Sequence, residues 1–299
     1  MTIIDKILLK TEWYNSYFRD CQKYWHGVPN HIIIANVGSN SGKYAFDYTI
    51  TSKCCFNFAM GPQPFYMDTA IIKAYHDSFC DGAVLFIPIC IFSSVVGREY
   101  NIDRFRYYSI IPFELIPGAN AVQFIQSNDL RRHPSKHYSP KIAFQNILNV
   151  VKTEVKHFFK LDIVDFDKNA LMWRNNWMKE FSIIDLEAPL SDSNNKQRKE
   201  AVELLIEIIN VSKKYKITPI LILPPIHQSL LNLFSSKARD TYVYSFIREI
   251  RNNVDVQFLD YCECDSISNN NKCFSNAYFL NNVGAKIFTK RVLTDLNLI

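Results

Sequence analysis

Glycine is scarce in this sequence, accounting for only 8 of 299 residues. No Gly-x-Gly-x-x-Gly and no Gly-x-x-x-x-Gly-Lys-Ser/Thr pattern occurs, which excludes the Gly-rich loops that bind nucleotide phosphates. Because so few glycines are present, we expect each one to stand where a Cβ atom would clash with a neighbour.

Long apolar runs are also missing. The longest, Gly82–Gly97, is interrupted by Pro88 and is too short to cross a membrane. The N-terminal segment carries Asp5, Lys6 and Lys10 among its apolar residues and has no small-residue cleavage site, unlike a signal peptide. These features predict a soluble cytoplasmic protein without a membrane span, whose first residues form an amphipathic helix.

Charge of one sign is not in large excess. The 34 Lys and Arg residues and 29 Asp and Glu residues leave a net charge of +5, far from the charge density of a dedicated nucleic-acid binder. We therefore expect no nucleic-acid partner. The most basic stretch, 131–137, is typical of a solvated loop, with binding of an anionic substrate as the alternative.

The eight cysteines lie mostly in apolar segments, where a reduced thiol behaves as a small hydrophobic group. Cys262, Cys264 and Cys273 form the one cluster, but it lacks a fourth ligand and the usual zinc spacing. The sequence therefore indicates neither a metal site nor a cofactor.

Apolar runs rich in β-branched residues alternate with helical patterns, which is typical of α/β proteins with a mostly parallel sheet. With 48% hydrophobic and 21% charged residues, the composition is that of a globular chain. The predicted strands are His31–Val37, Cys55–Ala59, Ala83–Ile89, Thr218–Leu223 and Val254–Asp260. The predicted later helices cover about 65–78, 140–159, 196–215, 229–252 and 282–296.

We expect these elements to form a three-layer sandwich around a five-stranded sheet in the flavodoxin-like order 2-1-3-4-5. The alternation fits poorly over residues 94–190, which contain the pair Trp173 and Trp177. We interpret this segment as an insertion packed on the core, within a single domain that covers residues 1–299.

Ligands of such sheets bind beyond the carboxyl ends of the strands. Ser39 lies directly after the first strand and before a predicted helix. A turn there exposes the hydroxyl group, and neighbouring N–H groups can stabilise an oxyanion. A serine that merely caps the next helix has the same pattern, so both interpretations stay open.

Four blocks in chain order carry a family resemblance: Asn36–Ser39, Asn57–Gln63, Ile222–Pro225 and Tyr278–Lys286. Together they resemble the SGNH (GDSL-like) hydrolase superfamily. The residues from Gly38 to Tyr48, with Phe279–Asn281, more narrowly resemble a bacterial branch found near surface-polysaccharide genes. The resemblance covers about residues 30–93 and 200–296.

The resemblance implies a serine esterase or O-acyltransferase whose substrate is a carbohydrate, a surface-polysaccharide precursor or another acylated small molecule. Ser39 would be the nucleophile and Gly61 an oxyanion donor. Asn40 and Gln63, in the same two blocks, are further candidates for oxyanion or substrate binding. The oligomeric state does not follow from the sequence.

The family's Asp-x-x-His would fall on Asn276 to Phe279. Phenylalanine cannot accept the serine proton, and asparagine cannot orient a charged imidazole as a carboxylate does. His227, just past the fourth strand, is the candidate replacement base. Asp260 ends the fifth strand and is expected either to orient an imidazole or to cap the following loop.

Two other functions remain open. A degraded SGNH fold would bind a glycan or a protein without catalysis, as the loss of both dyad residues suggests. A transferase of another group in polysaccharide biosynthesis would depend on the basic stretch 131–137.

Overall fold

The computed structural model describes the backbone of residues 1–159 and 164–299 and the side chains of residues 1–149 and 164–299. The chain divides into two compact units, one formed by Met1–Val28 and Asp103–Ile163, the other by Pro29–Ile102 and Val164–Ile299. Residues 94–102 and 164–190 of the segment predicted as an insertion thus belong to the second unit. Residues 160–163 of that segment lie outside the described part.

The sheet and helices have the following bounds. The strands are β1 Ile32–Asn36, β2 Cys55–Asn57, β3 Phe79–Pro88, β4 Thr218–Leu223 and β5 Gln257–Asp260. The α-helices are α1 Ile3–Leu8, α2 Glu12–Tyr17, α3 Arg19–Trp25, α4 Asn40–Ala45, α5 Phe65–Tyr75, α6 Ala121–Arg132, α7 Pro140–Phe159, α8 Phe166–Glu180, α9 Asp192–Lys214, α10 Gln228–Leu231, α11 Ser236–Arg239, α12 Ser245–Asn253, α13 Asp265–Ser268 and α14 Asn282–Asp295.

All five strands run parallel in the order β2-β1-β3-β4-β5, which confirms the predicted α/β class and strand order. Since β1 pairs with β2 on one side and β3 on the other, the connections after β1 and β3 diverge at their carboxyl ends. Asn36 is in register with Asn57 of β2 and Phe86 of β3, so the turn that follows β1 begins at this divergence.

Helices cover the sheet as its apolar strands require. Side chains of β1, β3 and β4 share one buried cluster with α14, which contributes Phe288, Val292 and Leu293. Elsewhere α9 packs against α5 and α12. The strands read as near-continuous apolar runs because parallel strands are covered on their faces.

The predicted helix over 229–252 is wrong in one respect, because the structure divides this stretch. Helices α10 and α11 are followed by a π-helical turn, Asp240–Tyr244, and then by α12. The side chain of Ser235 accepts a hydrogen bond from the N–H of Ala238 and begins a new helix there. An internal N-cap therefore interrupts an apolar periodicity that looks continuous.

In the first unit, the predicted N-terminal helix is present as α1, which begins with a capping box between Thr2 and Asp5. Its isoleucines do not form a buried face, since Ile3, Ile4 and Ile7 are exposed. The carboxylate of Asp5 accepts hydrogen bonds from the side chain and backbone of Ser135. These bonds hold the pKa of Asp5 well below its usual range.

The basic stretch 131–137 is occupied by interactions within that same unit. Lys136 and His137 both lie near the carboxylate of Asp129. The guanidinium of Arg131 lies over the ring of Trp25. Several basic groups of this stretch are therefore already paired with an acidic or an aromatic side chain of the same unit. This pairing argues against an anion site there.

A buried polar network fixes the turn between β1 and α4. The side-chain amide of Asn36 has no solvent exposure and donates to the carbonyls of Val37 and Gly42. It also donates to Asn57 Oδ1, and the Tyr48 hydroxyl donates to Asn36 Oδ1. Because buried amides are costly to leave unpaired, these bonds specify one path for the chain into α4.

Replacing Gly42 with alanine should destabilise the protein. A Cβ atom there would lie 2.4 Å from the backbone oxygen of Val37, so the turn itself must shift. We expect Gly42→Ala to lower the free energy of unfolding by about 1–3 kcal/mol, measured by urea denaturation. Gly97→Ala is the comparison variant and should cost less, because its Cβ meets the ends of the Gln197 and Glu200 side chains, which would lose their bonds to the N–H groups of residues 97 and 98 without a shift of the backbone. Equal stability of both variants would contradict this account.

Candidate functional site

A cavity of about 210 Å³ opens at the carboxyl ends of β1 and β3. That volume has room for a small molecule rather than a single water. It lies where open parallel sheets usually bind ligands. Its lining comes from the turn after β1, the start of α5, the segment after β3, α8 and the residues before α14, and includes Ser39, Asn40, Gln63, Asp68, Cys90, Tyr100, Trp173, Trp177, Glu180, Tyr278 and Phe279.

Ser39 occupies the N-cap position of α4, yet its side chain accepts no hydrogen bond from that helix. Its Oγ accepts instead from the backbone N–H of Gln63, at 3.2 Å. Of the two expectations for Ser39, helix capping by its hydroxyl is therefore wrong. The hydroxyl is half-buried at the edge of the cavity and receives a donor from a different segment.

The predicted residues Asn40, Gly61 and Gln63 lie beside Ser39. A Cβ atom on Gly61 would lie 1.8 Å from Asn40 Oδ1, so the backbone at 61 packs directly against that amide. The side chain of Gln63 accepts from the Met60 N–H and closes the turn on itself. The close approach at Gly61 explains why this scarce residue occurs there.

Asp68 joins this group, although it was not among the residues predicted from the sequence. It is fully buried, and its Oδ1 accepts from the Gly38 N–H at 2.9 Å and from Gln63 Nε2 at 2.6 Å. Within the described residues, its Oδ2 has no hydrogen-bond partner. Burial raises the pKa of Asp68 to about 7, against the lowering effect of the bonds from Gln63 and Gly38. The sequence signal for Asp68 is that it is a single acidic residue in the otherwise apolar start of α5.

Aromatic rings form one wall of the cavity. Trp173 and Trp177 lie one turn apart on α8, with ring centroids 5.3 Å apart. Trp177 lies 4.8 Å from the Tyr278 ring, and Trp173 lies 5.3 Å from the Phe279 ring. The indole Nε1 of Trp173 is buried and has no partner in the described part of the chain. The i, i+4 tryptophan pair was visible in the sequence but was not assigned to the site.

The two degenerate dyad positions have structural contacts. Asn276 Oδ1 accepts from the N–H groups of Tyr278 and Phe279, at 2.9 and 2.8 Å, and so shapes the turn before α14. The Phe279 ring lines the cavity and packs 4.7 Å from the Tyr44 ring. An apolar ring thus occupies the position to which the sequence resemblance assigns a base.

His227 is buried and caps α10. Its Nδ1 accepts from the Ser229 N–H, so Nε2 carries the hydrogen and donates to Asn271 Oδ1 at 2.9 Å. Its ring also stacks on Phe166, with centroids 4.1 Å apart. No histidine is among the described residues that line the cavity. This geometry favours a structural role for His227 over that of a base for Ser39.

Asp260 also lies outside the lining of the cavity. It accepts from the Tyr244 hydroxyl and from the N–H of Cys262. The second bond closes the loop after β5, which is the capping role among the two expectations. No described hydrogen bond joins Asp260 to an imidazole.

The described residues contain no group of three or more His, Cys, Asp or Glu side chains placed to hold a metal. Cys262, Cys264 and Cys273 are free thiols, as are the other cysteines. None of the described helices has both the length and the apolar character needed to cross a membrane.

No protein-family model matches the chain. No curated protein matches it in sequence.

Asp68→Asn should stabilise the protein at high pH. The pKa of Asp68 is about 7 in the native protein, against an ordinary value of 3.8 in the unfolded chain. Between these two pH values the unfolded chain has lost the proton that native Asp68 keeps, so the stability of the native protein falls as pH rises. Asparagine cannot ionise and keeps an oxygen for both donors. We expect the variant to gain up to about 4 kcal/mol over the native protein at about pH 8, and little at about pH 4.

Urea denaturation at several pH values measures this difference. The exposed Asp255→Asn variant is the control and should follow the native protein at each pH. A stability difference for Asp68→Asn that stays constant with pH would rule out a raised pKa at this position.

His227→Ala should destabilise the protein, because the substitution leaves the Ser229 N–H and Asn271 Oδ1 without partners and removes the stacking on Phe166. We expect a loss of about 1–3 kcal/mol in thermal or urea unfolding. His227→Asn keeps an acceptor at the N-cap position and should recover part of the loss. Native-like stability of the alanine variant would show that the cap is unimportant.

Proposed function

We propose that the protein is an SGNH-like serine esterase or O-acyltransferase that acts on a sugar or surface-polysaccharide precursor. The observation that carries this proposal is the Ser39 hydroxyl, which lies at the edge of the cavity beyond β1 and accepts the Gln63 N–H instead of capping its helix. The four sequence blocks and the strand order 2-1-3-4-5 support it further. The hydrogen bonds of His227 favour a cap, so the proposal rests on Ser39.

In this reaction Ser39 Oγ attacks an acyl carbonyl carbon and forms a new C–O bond, while the hydroxyl proton passes to water, because no histidine is among the described residues that line the cavity. Collapse of the tetrahedral intermediate breaks the bond to the leaving alcohol, and the alcohol oxygen takes up a proton. Water or a second sugar hydroxyl then receives the acyl group from the serine. The Gln63 N–H stabilises negative charge on Oγ as its proton leaves.

The lining of the cavity supports a sugar as the substrate. The rings of Trp173 and Trp177 offer flat apolar surfaces to the C–H face of a pyranose. Ser39, Gln63 and Glu180 place polar groups around the same cavity. Such a combination of apolar walls and a few oriented polar groups is typical of small-molecule sites.

A second candidate is a binding module that holds a glycan without catalysis. Phe279 favours it, because this ring lines the cavity at the position where the resembling family has its catalytic histidine. In that case Ser39 would contribute hydrogen bonds to the glycan rather than an acyl-enzyme bond.

A serine-directed probe separates these functions. We expect a fluorophosphonate to label the native protein, and p-nitrophenyl acetate to be hydrolysed. Ser39→Ala should abolish labelling and lower turnover by at least about a hundredfold. Ser41→Ala is the matched control, since Ser41 lines the same cavity and lies two residues away. Absence of both labelling and turnover in the native protein would remove the esterase proposal in favour of the binding module, and labelling that persists in Ser39→Ala would remove Ser39 as the nucleophile.

A further inference from the structure

Asp68 contacts the surroundings of Ser39 by two routes. Its Oδ1 accepts from the backbone N–H of Gly38, the residue before the nucleophile, at 2.9 Å. The same oxygen accepts from Gln63 Nε2 at 2.6 Å, while the backbone N–H of Gln63 donates to Ser39 Oγ at 3.2 Å. One carboxylate oxygen therefore ties together the two segments that meet at the serine hydroxyl.

The other oxygen of this carboxyl group is free to bind a proton. Oδ2 is buried and unpaired in the described structure, although Asp68 lines the cavity. Natural proteins satisfy nearly all buried polar atoms, so an unpaired one calls for an explanation. Since Oδ1 is occupied by two donors, a proton on Asp68 would reside on Oδ2.

No cation lies within ion-pair distance of Asp68 in the described residues. Lys73, on the same helix, pairs with Glu207 of α9 at 3.1 Å. The other titratable groups around the cavity are the carboxyl of Glu180, the thiol of Cys90 and the phenols of Tyr100 and Tyr278.

The two phenols stay neutral near pH 7. Burial raises the pKa of both Tyr100 and Tyr278 above the ordinary value, and the hydroxyl of Tyr100 donates to Glu180. Asp68 itself, with a pKa of about 7, changes charge in this range.

We propose that Asp68 is a positioning residue whose ionisation controls the reactivity of Ser39 through Gln63. The proposal rests on the proposed function of Ser39. As a carboxylate, Oδ1 is a strong acceptor that holds Gly38 and the Gln63 side chain, and so fixes the Gln63 N–H on Ser39 Oγ. As a neutral acid, Oδ1 holds both donors more weakly. The reactivity of Ser39 should therefore rise as Asp68 loses its proton.

The test is the rate of fluorophosphonate labelling from about pH 5 to 9, with Ser39→Ala as the background. For the native protein we expect a rise of about tenfold with a midpoint near neutral pH, the effect of strengthening one hydrogen bond by a charge. Asp68→Asn keeps an oxygen acceptor for Gly38 and Gln63 but should lose this step. Asp255→Asn should retain it.

A second variant tests the route and guards against misfolding of the first. Gln63→Met keeps the backbone N–H that faces Ser39 but removes the side-chain link to Asp68. We expect slower labelling without the pH step. If Asp68→Asn retains the native pH profile, or Gln63→Met retains the native rate and profile, the proposal is overturned.

The experiment also separates the two proposals. Absence of Ser39-dependent labelling at every pH would remove the proposed function together with this inference. Ser39-dependent labelling with the same pH profile in the native protein and in Asp68→Asn would leave the proposed function standing and remove the role of Asp68.

Discussion

The pairing of the buried Asn36 amide is the constraint on which the candidate site depends. Its bonds to Val37, Gly42 and Asn57 fix the path of the chain as it leaves β1. The neighbouring strands pair with β1 in parallel, so this amide sits where three strands approach the same edge. A change in the path of this turn would move Ser39 away from the cavity.

Two sets of contacts, linked by the bond from the Gly38 N–H to Asp68, therefore hold Ser39 in place. On the strand side, Asn36 and the tight packing of Gly42 determine where α4 begins. On the α5 side, Asp68 and Gln63 determine which donor meets the hydroxyl. The proposed nucleophilic role of Ser39 would need such rigid support, because small displacements weaken catalysis severely.

More of the fold than of the candidate site could be predicted from the sequence. Parallel strands leave a strong sequence signal, since runs such as Thr218–Leu223 must be apolar throughout. The predicted strand order was the flavodoxin-like order that is usual for such sheets, and the structure confirms it. The segments after β1 and β2 meet at Ser39, since the carboxyl ends of parallel strands share one edge of the sheet.

The site chemistry was harder to predict because it depends on side chains that meet through packing. The relation of Asp68 to Gln63 and Gly38 becomes visible once α5 is placed beside the turn after β1. His227 has a suitable place in the sequence, yet its ring is occupied by Ser229 and Asn271. A position just beyond a strand predicts that a residue lies near the carboxyl edge of the sheet. The direction in which its side chain points depends on its local hydrogen-bond and packing partners.

The buried carboxyl of Asp68 has a consequence for the evolution of this chain. A carboxyl group that resists ionisation in the folded state lowers the free energy of unfolding near and above neutral pH. Directed evolution of this protein for heat tolerance alone would then replace aspartate at position 68 early. Retention of Asp68 in a screen that also selects for function would show that this carboxyl lowers stability but is needed for function.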